Sequence, residues 1–294
     1  MVNARYNHIR SIMETPILDE HKWSKVPNIR ADAFLLDLED SVPPDAKQNA
    51  RDKVITFLGV REYFGGRTPI ARVNALNTPW GHADLEALGE AGATAVAYPK
   101  VRTAEELREV QALLRASGAD PDLFVVIETA EAVLEVGQIA KVDRVAGLLF
   151  GPSDLAFDAG FELFDGDKLA NRPLAYPRAA ITLAGAAHGL RTFDIPFVTD
   201  LHDLNAVRAQ AVDARRTGFT GMATFYPPHV DIINDVFSTS PSEFAAAKRV
   251  ASLYENALAN GKAAVIVDGK ALIVQDYKRA KAVIERVTAE GSQG

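Results

Sequence analysis

The feature that most constrains this chain is an alternation repeated along most of its length: short apolar runs separated by longer amphipathic ones. The short runs predict strands at His8–Met13, Ala33–Leu38, Ile70–Asn74, Ala95–Tyr98, Phe124–Ile127, Ala146–Phe150, Thr192–Asp194 and Gly221–Phe225. Apolar on both faces and bounded by polar residues, they have the pattern of a parallel sheet covered on both sides. The intervening stretches carry helix starts. Thr103-Ala-Glu-Glu106 is a capping box leading into Leu107, Val110 and Leu114 on one face. Thr78-Pro79 places an N-cap before a proline at the first helical position, and Ser240-Pro-Ser-Glu243 repeats the capping box. Eight strand–helix repeats within about 225 residues predict an α/β fold of the (β/α)8 (TIM) barrel type. A doubly wound open sheet is the alternative that pattern alone leaves standing.

The C-terminal end departs from this alternation. Ala263–Val267, Asp268-Gly269 and Ala271–Val274 predict a β-hairpin with a type I′ turn, followed by a helix from about Asp276. The expected organisation is a barrel over residues 1–260 and a hairpin–helix extension over 261–294, placed to cover a neighbouring subunit.

Composition narrows the chemistry. Among 294 residues there is no cysteine, which excludes a disulfide framework, thiolate metal ligation and a cysteine nucleophile. A formal net charge of −7 argues against nucleic acid or an anionic membrane as partner. The N-terminal segment lacks the apolar core of a secretory signal and no run approaches the ~20 residues of a membrane span, so a cytoplasmic protein is expected. The six histidines show no zinc-site spacing, and nucleotide-loop and serine-hydrolase motifs are missing. His229, just past the eighth strand, is placed to face the site.

In a (β/α)8 enzyme the chemistry gathers at the C-terminal ends of the strands. Here those ends carry Asp37, Glu39 and Asp40; Arg72 and Asn74; Lys100; Glu128; Ser153 and Asp154; Asp194; and Tyr226. Glu128 and Asp154, on successive strand ends, suit Mg²⁺ or Mn²⁺, which prefer oxygen ligands; each also suits an ordinary loop cap. Arg72 has two uses open to it, a salt bridge with Asp37 or Glu39 and a grip on a substrate oxygen. Gly151-Pro152-Ser153-Asp154 leads into a helix whose first N–H groups can bind a carboxylate or simply cap a turn. Lys100 either neutralises the acidic cluster or forms a Schiff base; crowding by carboxylates favours the former.

Several segments resemble the citrate lyase β-subunit-like family, grouped with the malyl-CoA lyases and the HpcH/HpaI aldolases. They are Arg10-Ser11, residues 36–41 (LDLEDS), 71–81 (ARVNALNTPWG), 98–101 (YPKV), 127–130 (IETA), 147–156 (GLLFGPSDLA) and 232–238 (IINDVFS). The resemblance implies a barrel of the phosphoenolpyruvate/pyruvate group, Mg²⁺ at Glu128 and Asp154, and Arg72 on a substrate oxygen. It also implies a ligand carboxylate at the backbone of Ser153 and Asp154, and trimers or hexamers. Three regions depart from the family pattern. The family's C-terminal aspartate is Ile273, the segment after strand eight reads Met222–His229, and the loop after strand one reads Thr15-Pro16-Ile-Leu-Asp-Glu. All bear on the acyl-CoA end of the site, leaving use of a CoA thioester open. In the related aldolases a histidine follows the LDLE segment, where this chain has Asp40.

The expected function is Mg²⁺-dependent carbon–carbon cleavage of a small anionic hydroxy-acyl-CoA or hydroxy-2-oxo acid through an enolate. Arg72 stabilises charge, and Asp40 or Glu39 acts as base within the Asp37–Asp40 run. Pro152, Ser153 and Lys100 contact substrate. Thioester hydrolysis or synthesis at the same site, and a ligand-binding barrel without turnover, are the alternatives.

Overall fold

A computed structural model describes residues 4–166, 170–267 and 269–291. The chain divides into two compact units, Met1–Phe237 and Ser238–Gly294. The first holds a closed barrel of eight parallel strands in sequential order, which excludes the open-sheet alternative. The strands are β1 (Ser11–Pro16), β2 (Ala33–Asp37), β3 (Thr68–Arg72), β4 (Ala95–Tyr98), β5 (Asp122–Ile127), β6 (Val145–Phe150), β7 (Arg191–Asp194) and β8 (Gly221–Thr224). Seven expected strands lie within two residues of these bounds. β1 begins three residues later than expected, because Ile9 and Arg10 precede it and pairing with β2 runs from Ile12 to Pro16.

The strands are buried on both faces, and alternate side chains enter two apolar layers. Ile12, Ala33, Leu35, Ile70, Ala95, Ala97, Phe124, Val126, Leu149, Phe193 and Ala223 fill the lumen, closed off by Tyr6. The residues between them, such as Phe34, Leu36, Val96, Val125, Ile127 and Leu148, pack outward against the helices. The helix Ala104–Ala116 shows how that outer layer is specified. Thr103 Oγ1 accepts from the Glu106 N–H at 3.2 Å, while Leu107, Val110 and Leu114 are buried on one face. Leu107→Ala would cost about 2–5 kcal/mol through the cavity left behind. Only half of its capping box forms: Glu106 turns instead to the Arg102 N–H and the Tyr98 hydroxyl. The Thr78-Pro79 start is also displaced. Thr78 Oγ1 accepts from the Gly81 N–H and the helix runs Gly81–Glu90. Gly81 is obligatory there, because a Cβ would sit 2.3 Å from the Ala75 carbonyl oxygen.

The second unit contains helices Pro241–Ala259 and Val274–Gly291 and the hairpin β9 (Val265–Val267) with β10 (Lys270–Leu272). Both halves of the Ser240/Glu243 capping box are present. Ala247, Ala251 and Ala280 let the two helices approach, and Tyr254 stacks on Tyr277 at 5.1 Å. The division therefore falls after Phe237 and not at residue 260, since Pro241–Ala259 finds its packing partner in the last helix. Of the expected type I′ turn, Gly269 has a left-handed φ of +78°, while Asp268 lies outside the described residues. No described helix is long and apolar enough to cross a membrane.

Candidate active site

The alternation that fills the lumen also decides which strand-end residues meet. Counting on by two from Ile12, Leu35, Ile70, Val126, Leu149, Phe193 and Ala223 gives Glu14, Asp37, Arg72, Glu128, Gly151, Ile195 and Phe225. All but Asp37 line a cavity of about 290 Å³ at the mouth of the barrel, with Asp40, Pro152, Ser153 and Asp154. Asp37 lies beneath it, fully buried.

Arg72 is the hub. Its Nε donates to Asp37 Oδ1 at 2.7 Å, its Nη2 to Glu14 Oε1 at 2.6 Å, and Glu39 Oε2 stands 3.5 Å away. Asp37 is fully engaged, accepting also from the Glu39 and Ser41 N–H groups. Burial pushes its carboxyl up, but the Arg72 guanidinium and these N–H groups outweigh burial and hold it below the usual carboxylate range. Asp37 thus orients Arg72 and is a poor base. Glu39 differs: burial pushes it up to about 7, against the pull of Arg72 and Lys100. Asp40 sits at the rim, 56% exposed at its side chain.

Lys100 closes the acidic run, its Nζ 2.6 Å from Glu39 and 3.2 Å from Asp40. Burial works against its charge, yet these two carboxylates raise its pKa, so the amine stays protonated and is a poor Schiff-base nucleophile. Its backbone is left-handed, φ +51°, at a cost of about 1–3 kcal/mol. That turn delivers the Lys100 N–H to Glu128 Oε1 at 2.7 Å.

Glu128 is the most charge-starved group of the mouth. Burial, then the neighbouring Glu39 and Asp154 carboxylates, push it up to about 8. It packs so closely on Gly151 that a Cβ there would meet Glu128 Oε2 at 2.5 Å. Such a pair of carboxylates calls for a cation. Among the described residues no group of three or more His, Cys, Asp or Glu side chains could hold a metal, so any cation at Glu128 and Asp154 takes its remaining ligands from water and substrate. That set fits Mg²⁺, which keeps several waters beside one or two carboxylates. Beside the pair, the helix Pro152–Ala159 starts with a proline, so its first free N–H groups are those of Ser153 and Asp154. They are available to an anion.

A second cavity of about 690 Å³ adjoins the first, sharing Glu14 and Phe225 with it. Its lining combines Met13, Val26, Ile29, Pro227 and Pro228 with His21, Lys22 and Lys25.

These two cavities sit in a barrel whose sequence matches the HpcH/HpaI aldolase/citrate lyase family over residues 11–227. The chain belongs to that family. It is 37% identical over 261 residues to a (3S)-malyl-CoA thioesterase of Cereibacter sphaeroides, covering 89% of this chain and 88% of the relative. It is 30% identical over 287 residues to an L-malyl-CoA/β-methylmalyl-CoA lyase of the same species, covering 90% of each. Among solved structures, the citrate lyase β subunit of M. tuberculosis complexed with oxaloacetate and magnesium superposes with a TM-score of 0.68 at 25% identity, covering 79% of this chain and 99% of that one.

Of the expected strand-end residues, Asp37, Glu39, Asn74, Lys100, Asp194 and Tyr226 do not line the small cavity of this family member, and neither does His229; parity explains Asp194 and Tyr226. Asp194 lies one residue past Phe193, points outward, and is held by Arg178 Nη2 at 2.8 Å. Tyr226 lines the second cavity only. His229 is 1% exposed and bonded to Thr224 Oγ1 and the Leu201 carbonyl, so it anchors a loop and faces neither cavity. Two features were missed. One is Glu14, which the early placement of β1 left in a loop; the signal was its spacing of two from Ile12. The other is the apolar wall of Leu163, Phe164, Ile195, Phe197 and Leu201, contributed by loops with no motif.

Proposed function

We propose that this protein is a Mg²⁺-dependent carbon–carbon lyase acting on a short hydroxy-acyl-CoA of the malyl type. The observation that carries the reading is the pair of joined cavities. The first is small and holds the carboxylates and Arg72; the second is larger, mostly apolar and edged by His21, Lys22 and Lys25. A small acid alone needs the first; an acyl-CoA, with its long pantetheine arm and phosphates, needs both. That favours the thioester over the free hydroxy-2-oxo acid.

A divalent cation at Glu128 and Asp154 would supply Lewis acidity to the substrate's oxygens; the magnesium in the M. tuberculosis subunit supports this choice. The N–H groups of Ser153 and Asp154 receive the substrate carboxylate. Arg72, locked by Asp37 and Glu14, places fixed positive charge where the enolate oxygen develops. Glu39, buried and shifted towards neutrality, takes the hydroxyl proton as the carbon–carbon bond breaks. Lys100 keeps Glu39 in place, and the apolar wall excludes water from the enolate.

Hydrolysis of the same thioester is the second reading, favoured by the relatives at 37% identity. One experiment separates them: malyl-CoA is incubated with Mg²⁺ or with EDTA, following glyoxylate as its hydrazone and free CoA with a thiol reagent. Mg²⁺-dependent glyoxylate without free CoA supports the lyase; free CoA with malate supports the hydrolase. Cleavage of a 4-hydroxy-2-oxo acid but not of malyl-CoA would overturn the thioester reading.

A further inference from the structure

Among the described residues, Glu14 is the one carboxylate that lines both cavities. It projects from the C-terminal half of β1, two residues beyond the lumen-filling Ile12, and its side chain remains 23% exposed. Arg72 holds Oε1 at 2.6 Å, which fixes the carboxylate beside the guanidinium assigned to the enolate oxygen. In a ligand running through both cavities, the atoms at their junction are the thioester carbonyl and the carbon beside it. The group that faces this junction is therefore a carboxylate with an adjacent cation for the oxygen.

We propose that Glu14 is the acid–base residue for the carbon next to the thioester carbonyl, an assignment that rests on the functional reading above. In the cleavage direction the substrate hydroxyl gives its proton to Glu39 and the carbon–carbon bond breaks. The bonding pair passes into the thioester enolate, and the Glu14 carboxyl delivers its proton to the enolate carbon. The products are the 2-oxo acid and the shortened acyl-CoA, with Glu14 left as carboxylate and Glu39 as acid until solvent resets both. In reverse, the Glu14 carboxylate removes a proton from that carbon and the electron pair moves to the oxygen facing Arg72.

The surroundings suit a group that must both hold and release a proton. Burial raises the Glu14 pKa, Arg72 opposes this, and the charges of Asp37 and Asp40 add to the rise. On the side of the larger cavity the other charged or titratable groups in its lining are His21, Lys22, Lys25 and Tyr226. Glu39 stands 3.5 Å from Arg72 Nε while Glu14 is held at Nη2, so the two acids meet one guanidinium at different nitrogens and serve two different protons.

The test is proton exchange at the methyl group of acetyl-CoA in D₂O with Mg²⁺, followed by NMR, alongside malyl-CoA turnover. Wild-type protein should exchange and turn over; Glu14→Gln should lose exchange by on the order of 100-fold or more, with thermal unfolding unchanged. If Glu14→Gln does not fold, Glu14→Asp carries the test, its carboxyl withdrawn by one methylene and its exchange expected to fall about tenfold or more. Exchange within twofold of wild type in the folded variant overturns the assignment. A wild-type protein that turns over malyl-CoA without methyl exchange also overturns it, and leaves the functional reading standing. A wild-type protein that does neither removes the functional reading itself.

Discussion

Two clusters of charge meet around the ends of β2 and β3, and they are built on opposite principles. Behind the mouth, Lys47 donates to the Leu38 and Glu39 carbonyls and to Asn74 Oδ1, at 2.7–2.8 Å. Asn74 passes its own donors to Asp84, which Arg51 Nε meets at 2.7 Å. All four side chains are buried and hydrogen-bonded, Arg51 is paired with Asp84, and Lys47 also lies over the Trp80 ring. In front, Glu14, Asp37, Glu39, Asp40, Glu128 and Asp154 are offset by Arg72 and Lys100, and the excess of negative charge faces a cavity. A saturated cluster fixes a loop. A cluster left short of positive charge waits for a cation and a substrate, and its Glu14, Glu39 and Glu128 carboxyls stand shifted towards neutrality in the meantime.

The sharpest way to break this contrast is to disturb one arginine in each cluster. Arg72→Lys keeps the charge but cannot reach Asp37 and Glu14 together, so turnover should fall by on the order of 10³-fold while the unfolding midpoint barely moves. Arg51→Met leaves Asp84 buried without its partner and should cost about 3–5 kcal/mol in urea unfolding. If Arg51→Met instead spared stability and Arg72→Lys spared turnover, the distinction would fail.

A closed pair elsewhere sharpens it through pH. Burial raises Asp194 to about 6 from 3.8, despite the two hydrogen bonds from Arg178. The fold thus holds a proton that the unfolded chain has already lost. Stability from this group is complete below about pH 4, declines as pH rises to about 6, and is level above that, a span of ~3 kcal/mol. Asp194→Asn should flatten that decline in unfolding measured from pH 4 to 7. The smallest effect belongs to the cation. Mg²⁺ at 100 times its dissociation constant should stabilise the wild type by about 2.7 kcal/mol. Glu128→Gln should lose that response, whereas Arg51→Met, however unstable, should keep it.

What was legible in the sequence follows the same division. Strand parity is local, so the barrel and the inward set of Arg72 and Glu128 could be read from apolar runs and their polar ends. Parity also explains the errors: three residues of offset in β1 hid Glu14, and Asp194, the true last residue of β7, has outward parity one residue past Phe193. The saturated cluster was invisible for a different reason. Lys47, Asn74 and Asp84 lie 10 or more residues apart and meet only because the barrel brings the helices after β2 and β3 beside the end of β3. Nothing in their types or spacing separates them from surface charges.

The filled lumen has a consequence for traffic. Tyr6, Phe124 and Phe193 are wholly buried and stopper the barrel from below. Among the described residues the lumen below the mouth is therefore filled, and the small cavity opens away from it. Whatever fragment lies deepest leaves last, past the berth of the longer one. For the acyl-CoA cleavage proposed above, release from such a chamber would be single file: the CoA fragment first, the small acid after it. Rising levels of the CoA product would then trap the acid inside.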